Sequence, residues 1–338
     1  MHLKERQKLW RIGTYSLSFI LTFALGFNGV MAEEMEKKEK LIFASIVFPT
    51  ESSEKNVLLL VESIRAFAGS LSQVPIWCLM PEYGKQLSTT TQDKLAALNV
   101  TLIPFEIDYE TLRFPFTGDA QAAAVAESMA NAKADFLVWL GANTIVLQEP
   151  SHLLLPDDKS LGYRPVHHIN VGSPYDRPLD PFWILVYQYC SVPKDRIFAM
   201  TTHVDDTKIR PYFNAGVLVT RPEKHLLRNW RDTFFRVYQK PDLQKCYRQD
   251  NRYAIFIHQA VLSGVILSEF AMDEIQELPA TYNYPLHLYA EDSTDYRPSS
   301  LEELVTFRHE GFYEDPEWIE KMPAGASLKQ WFIERLAQ

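Results

Sequence analysis

Residues 135–150, DFLVWLGANTIVLQEP, decide the fold of this 338-residue chain. Phe136 to Leu140 is an unbroken apolar run with aromatic and branched side chains, and Gly141 bounds it. Such a run reads as a buried central strand. The chain then breaks into a polar corner, Gly141-Ala142-Asn143-Thr144, and resumes as Ile145-Val146-Leu147 before Pro150. A strand, a polar corner and a second strand expose a few side chains at a sheet edge, where a ligand can reach them.

Working outward, the upstream pattern predicts a doubly wound α/β sheet. LIFASIVF (residues 41–48) is a strand, and Pro49-Thr50-Glu51-Ser52-Ser53 is the turn after it. Val57, Leu60, Val61, Ile64 and Phe67 recur at helical spacing and stop at Gly69. PIWCLM (75–80) and VTLIPFEI (100–107) are further strands. Asp119 is placed to cap an Ala-rich helix, AQAAAVAESMANA, that leads into the Asp135 strand. Strand, helix, strand, strand, helix, strand is the order of a doubly wound sheet flanked by helices. Ligands of such sheets sit at the carboxyl ends of the strands, where the Thr50 turn and the Gly141 corner both lie. Downstream, residues 164–181 read as an irregular, Pro- and His-rich loop. YFNAGVLV (212–219) and Val305 to Arg308 read as strands. Helices are expected on Leu226, Trp230 and Phe234, over 252–270, and at the C-terminus on Leu328 and Phe332.

Composition excludes several classes. The chain is 46% hydrophobic and 23% charged, as an ordinary globular protein is. A net charge of −9 and the lack of a basic run argue against nucleic acid as a partner. Three cysteines, Cys78, Cys190 and Cys246, make neither a disulfide framework nor a zinc pattern. Cys78 falls in an apolar strand and reads as an inert core thiol. Lys4, Arg6, Lys8 and Arg11 precede an apolar stretch from Ile12 to Val30, with small residues at Val30-Met31-Ala32. Residues 1–32 therefore read as a signal peptide, or alternatively an uncleaved membrane anchor. The first reading expects a secreted or periplasmic protein. The second expects a globular part outside the cytoplasm or in a Golgi lumen. Residues 33–40, EEMEKKEK, are a charged linker, and 41–338 a single domain. Asn99-Val100-Thr101 is a glycosylation sequon of use only on a eukaryotic secretory route.

The corner and four later motifs resemble the nucleotide-sugar glycosyltransferases of the GT-A fold, in particular the glycogenin-like group. In that family the corner carries Asp-x-Asp, usually within LDxDTLVL. Here Gly141 and Asn143 occupy the two Asp positions. PYFNAGVLVTRP (211–222) resembles the family's Phe-Asn-x-Gly strand, so the resemblance places Asn214 and Gly216 at the donor sugar or acceptor. Phe256-Ile257-His258-Gln259-Ala260 resembles an Asp-Gln helix segment with His258 in place of the Asp. The resemblance makes His258 and Gln259 the catalytic candidates, although Ala254, His258, Val261 and Val265 also share one helical face. Phe307-Arg308-His309-Glu310-Gly311, with Trp318 beyond it, resembles the closing His strand, and Arg308 and His309 join the donor-binding set. Leu278-Pro279 and Tyr282-Asn283-Tyr284-Pro285 resemble a late cleft-lining segment, with Asn283 as its polar contact. Ser63-Ile64-Arg65 also fits, and Arg65 is expected to form an ion pair.

The resemblance implies transfer of a sugar from a nucleotide-sugar donor to a carbohydrate or glycoconjugate hydroxyl. Hard divalent cations require charged oxygen ligands, and this corner supplies none. The expectation is a transferase working without Mn²⁺ or Mg²⁺, its donor diphosphate held by cationic side chains and helix N-termini. The rival is an exported, non-catalytic carbohydrate- or nucleotide-binding protein on the same fold. A nucleotidyltransferase is the weaker third class, because no Gly-rich phosphate loop follows the first strand. His167-His168 and Asp205-Asp206 are metal-competent residue types on polar loops, without a spacing motif.

Overall fold

The computed structural model describes residues 38–336, so the signal-peptide or anchor reading of 1–32 lies outside the described residues. Among the described residues, no helix is long and apolar enough to cross a membrane.

A first half alternates strand and helix: β1 (Glu39–Ile46), α1 (Glu51–Phe67), β2 (Ile76–Glu82), α2 (Thr89–Ala97), β3 (Val100–Glu106), α3 (Tyr109–Leu112), α4 (Thr117–Ala130) and β4 (Ala134–Leu140). β5 (Thr144–Val146) follows the corner. β6 (Leu161–Pro165), α5 (Pro181–Tyr189), β7 (Met200–Thr201), β8 (Lys208–Ile209) and β9 (Phe213–Thr220) come next. α6 (Leu226–Val237), α7 (Pro241–Gln249) and α8 (Arg252–Glu269) form a helical run. β10 (Ile275–Glu277), β11 (Tyr284–Pro285), β12 (Thr306–Arg308), α9 (Trp318–Lys321) and α10 (Ala326–Leu336) close the chain.

Seven strands form one mixed sheet in the order β10-β6-β9-β4-β1-β2-β3. β1 to β4 are parallel, β9 runs antiparallel between β4 and β6, and β10 is parallel to β6. The apolar runs are continuous because both faces are covered. Along β1, Ile42, Ala44 and Ile46 enter one core with α4, α6 and α8. Leu41, Phe43 and Val47 enter the other with α1. β4 divides likewise, with Leu137 and Trp139 on one side and Phe136, Val138 and Leu140 on the other. The Ala-rich face of α4 lets this helix approach closely, and Ala120, Ala122, Ala123 and Ala126 are fully buried.

β4 is central, so the polar corner stands at its carboxyl end and not at a lateral edge of the sheet. β5 does not return along β4. It begins a second, three-stranded sheet, β11-β12-β5, in which β12 and β5 pair antiparallel with Arg308 opposite Thr144. Several elements are absent from the sequence reading, among them α2, β6, α5 and α7. α2 supplies the crossover that a parallel β2–β3 pair requires. β6 ends at Pro165 and α5 begins at Pro181, so the two flank the stretch read as a loop, 164–181, which is irregular over most of its length.

Glu127, in the middle of α4, is completely buried. Its carboxylate accepts from the backbone N–H groups of Leu227 and Arg228 at 3.0 Å each and from Arg228 Nε at 3.1 Å, capping the start of α6. Burial raises its pKa, and these donors oppose the rise.

Candidate active site

A cleft of about 300 Å³ opens at the carboxyl ends of β1 and β4. Its floor is Ile46, Trp139 and the Gly141-Ala142-Asn143 corner. Its walls come from α1 (Ser53, Asn56), α4 (Asp119), β9 (Ala215, Gly216), α8 (His258, Gln259) and the end of β12 (Arg308, with Glu310 beyond). The corner is held by main chain. Gly141 N–H donates to Gly216 O at 2.9 Å, and His309 N–H donates to Asn143 O at 3.0 Å. Asn143 Nδ2 returns a bond to His309 O at 2.6 Å and lies 3.3 Å from Glu310 Oε1.

Arg308 is the cation of the cleft. Its Nη1 is 3.4 Å from Asn214 Oδ1 and its Nη2 3.8 Å from Glu310, while its buried Nε has no hydrogen-bond partner. Gly216 makes room for it: a Cβ there would lie 2.4 Å from Arg308 Nη1. Among the residues present, Gly216 thus admits a guanidinium, whereas the resemblance assigned it to the approach of a sugar. Asn214 is buried, and its Oδ1 also accepts from Gly216 N–H at 2.8 Å.

Asp119 is the residue that sequence reasoning placed wrongly. It does not cap α4. The cap position is Phe116, in the left-handed region at φ 62°, without a side-chain cap bond. Asp119 falls one turn further on and faces the cleft. Burial pushes its carboxyl up to about 6, against its own backbone N–H and the Arg308 charge, which both favour the ionised form.

His258 is 4% exposed and stacks on Phe116, with ring centroids 4.0 Å apart. Its Nδ1 lies 2.8 Å from Ile255 O, which assigns the ring proton to Nδ1 and leaves Nε2 as the acceptor. Burial depresses its pKa to about 3, with Arg308 adding to the effect and the Ile255 bond opposing it. The imidazole is therefore neutral in the physiological range. Gln259 Oε1 accepts from Ala215 N–H at 3.0 Å, tying α8 to β9.

An adjoining pocket of about 160 Å³ shares Gln259, Arg308 and Glu310 and adds His167, His168, His287 and Asn214. Asn143, Asn214, Gln259 and Arg308 are thus brought to one concave surface. Other expected residues are not. The Thr50 hydroxyl accepts from Ser53 N–H and caps α1, and Ser53 and Asn56 line the cleft instead. Asn283 is buried behind His167, its O 3.0 Å and its Nδ2 3.2 Å from His167 Nε2. It supports a lining residue and does not line the cleft. His309 is fully buried among Phe307, Phe312 and Tyr313 and borders a separate pocket with Trp318. Successive residues of an extended strand point to opposite sides, so Arg308 and His309 cannot both face the cleft. Burial lowers the His309 pKa to about 3, with Arg308 and His287 lowering it further. Arg65 forms no ion pair; it donates to the carbonyls of Ser72, Val74, Leu98 and Asn99. Glu277, Leu278 and Pro279 line another cavity, with Arg164 and His203. Asp205 is engaged with Ile169 N–H and the Thr202 hydroxyl.

The corner itself supplies no charged oxygen for a divalent ion. Gly141 has no side chain, Asn143 is neutral, His309 Nε2 is sealed without a partner, and a guanidinium stands beside them. Among the described residues, no three His, Cys, Asp or Glu side chains are grouped to hold a metal.

No curated protein sequence matches the chain. Among solved structures, an active-site mutant of LgtC is 14% identical, covering 88% of this chain and 95% of its own, with a TM-score of 0.51. The galactosyltransferase LgtC with donor and acceptor sugar analogs matches at 14% identity, 88% and 95% coverage and TM-score 0.48. The glycosyltransferase GlyE of Streptococcus pneumoniae TIGR4 matches at 13%, 89% and 60% coverage and TM-score 0.45. The likeness in fold rests on the first of these. Residues 44–268, about two thirds of the chain, match the family described as Rhodobacterales glycosyltransferase domain. The chain belongs to that glycosyltransferase family, on a GT-A architecture.

Proposed function

We propose that the protein transfers a sugar from a nucleotide diphosphosugar to a hydroxyl of a carbohydrate or glycoconjugate, without a divalent metal. One observation carries this reading: the Arg308 guanidinium stands beside the Gly141–Asn143 corner, with room made by Gly216, where the resembling enzymes place metal-binding carboxylates. In the transfer, an acceptor oxygen bonds to the anomeric carbon as the bond to the diphosphate oxygen breaks. The nucleoside diphosphate departs with the electron pair, negative charge collects on it, and the acceptor hydroxyl's proton passes to the departing diphosphate or to solvent. Arg308 is placed to balance that charge in a partly dry site, where a fixed cation acts most strongly. Asn214 and Gln259 orient the sugar through the donors they retain, and neutral His258 offers Nε2 as an acceptor. Export through residues 1–32 belongs to the same proposal.

The test is calorimetry with a panel of nucleotide diphosphosugars, in EDTA and in Mn²⁺, alongside release of nucleoside diphosphate. Affinity is expected to be the same in both conditions. A Mn²⁺-dependent gain above tenfold, about 1.4 kcal/mol, would overturn metal independence. Tight donor binding without any release of nucleoside diphosphate would favour the non-catalytic binding protein.

A further inference from the structure

The charges of the cleft do not suit a diphosphate as they stand. Arg308 contributes one positive charge, and Asp119 and Glu310 contribute two negative ones when ionised. With both carboxylates charged the wall is net negative, and the donor's two phosphates would meet repulsion. One of the two carboxyl groups can change this by carrying a proton. Glu310 is not the candidate. It is more than half exposed, and it is engaged with Arg308 and Asn143. Asp119 is half-buried, and no described residue donates a side-chain hydrogen bond to it. Only its own backbone N–H and the charge of Arg308 favour its ionised form.

We propose that Asp119 binds the donor in its protonated form, donating a hydrogen bond to a diphosphate oxygen, so that a neutral carboxyl and Arg308 together take the place of a metal ion. This rests on the donor assignment above. A buried carboxyl kept neutral is a hydrogen-bond donor of the kind an oxyanion requires. Free Asp119 titrates near 6. A diphosphate beside it favours the neutral form further, so donor binding draws one proton from solvent above pH 6. The sign is fixed: the complex has the higher pKa, so affinity is level below about pH 5 and falls as pH rises. For one whole proton the fall is about tenfold per pH unit.

The other titratable groups around Asp119 are few. Arg308 and Glu310 face it from the end of β12, and neutral His258 from α8. The α1 wall and the corner offer only Ser53, Asn56 and Asn143. His167, His168 and His287 stand in the adjoining pocket. Any proton they take up is independent of residue 119 and persists when Asp119 is replaced.

The experiment measures proton uptake by calorimetry in buffers of different ionisation enthalpy. The probes are UDP-glucose, UDP-galactose, GDP-mannose and ADP-glucose, whose phosphate diesters do not titrate between pH 5 and 8. Wild type at pH 7.5 is expected to take up close to one proton. Asp119→Asn keeps a donor without a titration, so it should bind within about threefold of wild type at pH 5.5. At pH 8 it should bind at least tenfold more tightly than wild type, with its proton uptake lost. Asp119→Ala, lacking the donor, should be weaker than Asp119→Asn at every pH. Binding without proton uptake by wild type overturns the proposal, and needs no variant to fold. Uptake in Asp119→Asn equal to that of wild type also overturns it. If none of the four probes binds, the donor assignment itself fails.

Discussion

Two arginines, one buried and one half-buried, show what separates a cation engaged on every side by the protein from one with few protein partners. Arg164, on β6, has 6% of its side chain exposed and is fully engaged. Its Nη1 donates to Glu277 and Leu278 O, both at 2.7 Å, and its Nη2 lies 2.7 Å from His203 Nδ1. A guanidinium can only donate, so His203 Nδ1 is the acceptor and the neutral ring carries its proton on Nε2. Arg308 has the same chemistry and almost none of these partners. One long bond to Asn214, a 3.8 Å approach to Glu310 and an unpartnered Nε leave most of its five donors unused. A buried charge without partners is costly to maintain, and such groups concentrate where a ligand completes them.

The comparison breaks most plainly at Arg164. Arg164→Ala removes a buried cation from Glu277, Leu278 O and His203, and should cost about 3 kcal/mol in urea unfolding. A loss below about 1 kcal/mol would mean that the network is not structural. Arg308→Ala should do the reverse. It should weaken nucleotide diphosphosugar binding by about 2 kcal/mol, roughly thirtyfold, and leave the unfolding free energy within about 0.5 kcal/mol. A large stability loss with unchanged binding would make the two arginines equivalent.

Acid sharpens the contrast in a different way. His258 and His309 both titrate near 3 when folded, against an ordinary value of 6.5. Below pH 6.5 the unfolded chain binds protons that the folded chain refuses. Stability should therefore fall as pH drops from 6.5 toward 3, by up to about 1.4 kcal/mol per unit for each histidine. Asp119, raised from 3.8 to about 6, acts oppositely and favours the folded state as pH falls through that window. His258→Phe keeps a ring against Phe116 and should lower the acid slope by up to about 1.4 kcal/mol per pH unit, leaving the shares of His309 and of His167, His203 and His287, whose pKa values burial also lowers. An unchanged slope would mean that His258 is protonated in place.

Gly216→Ala tests the space around Arg308. The new Cβ must displace the guanidinium, and binding should weaken about tenfold, 1.4 kcal/mol, while the circular dichroism spectrum is retained. Unchanged affinity would show that the cation need not sit there. Asn214→Ala is the smallest change. Gly216 N–H loses its acceptor, so about 1 kcal/mol of stability should go together with some affinity. A loss confined to affinity would make Asn214 a ligand contact alone.

The strands β1, β4, β9 and β12 and the helix α8 were legible because their apolar patterns are strong and their polar interruptions sit at strand ends. Asn143, Asn214, Gln259 and Arg308 meet there because the parallel half of the sheet points its carboxyl ends to one place. What the sequence hid depended on direction. Thr50 and Ser53 lie three residues apart, and the helix gives one to the cap and the other to the cleft. His309 was read beside Arg308, but the strand's alternation sends its ring into aromatic packing. Asp119 reads as an N-cap until Phe116, with an uncommon positive φ, shifts the helix start by three residues. No local pattern announces that shift.

Gly216 and Arg308 lie 92 positions apart in the sequence, yet the absence of a β-carbon at one is a condition for the side chain at the other. They should therefore vary together. In a chain with Asp at both 141 and 143, the carboxylates would offer Arg308 partners at the corner, and the guanidinium would no longer have to lie against residue 216. A chain that gains a side chain at 216 must turn the end of Arg308 aside. The site is thus a linked set of four positions, 141, 143, 216 and 308.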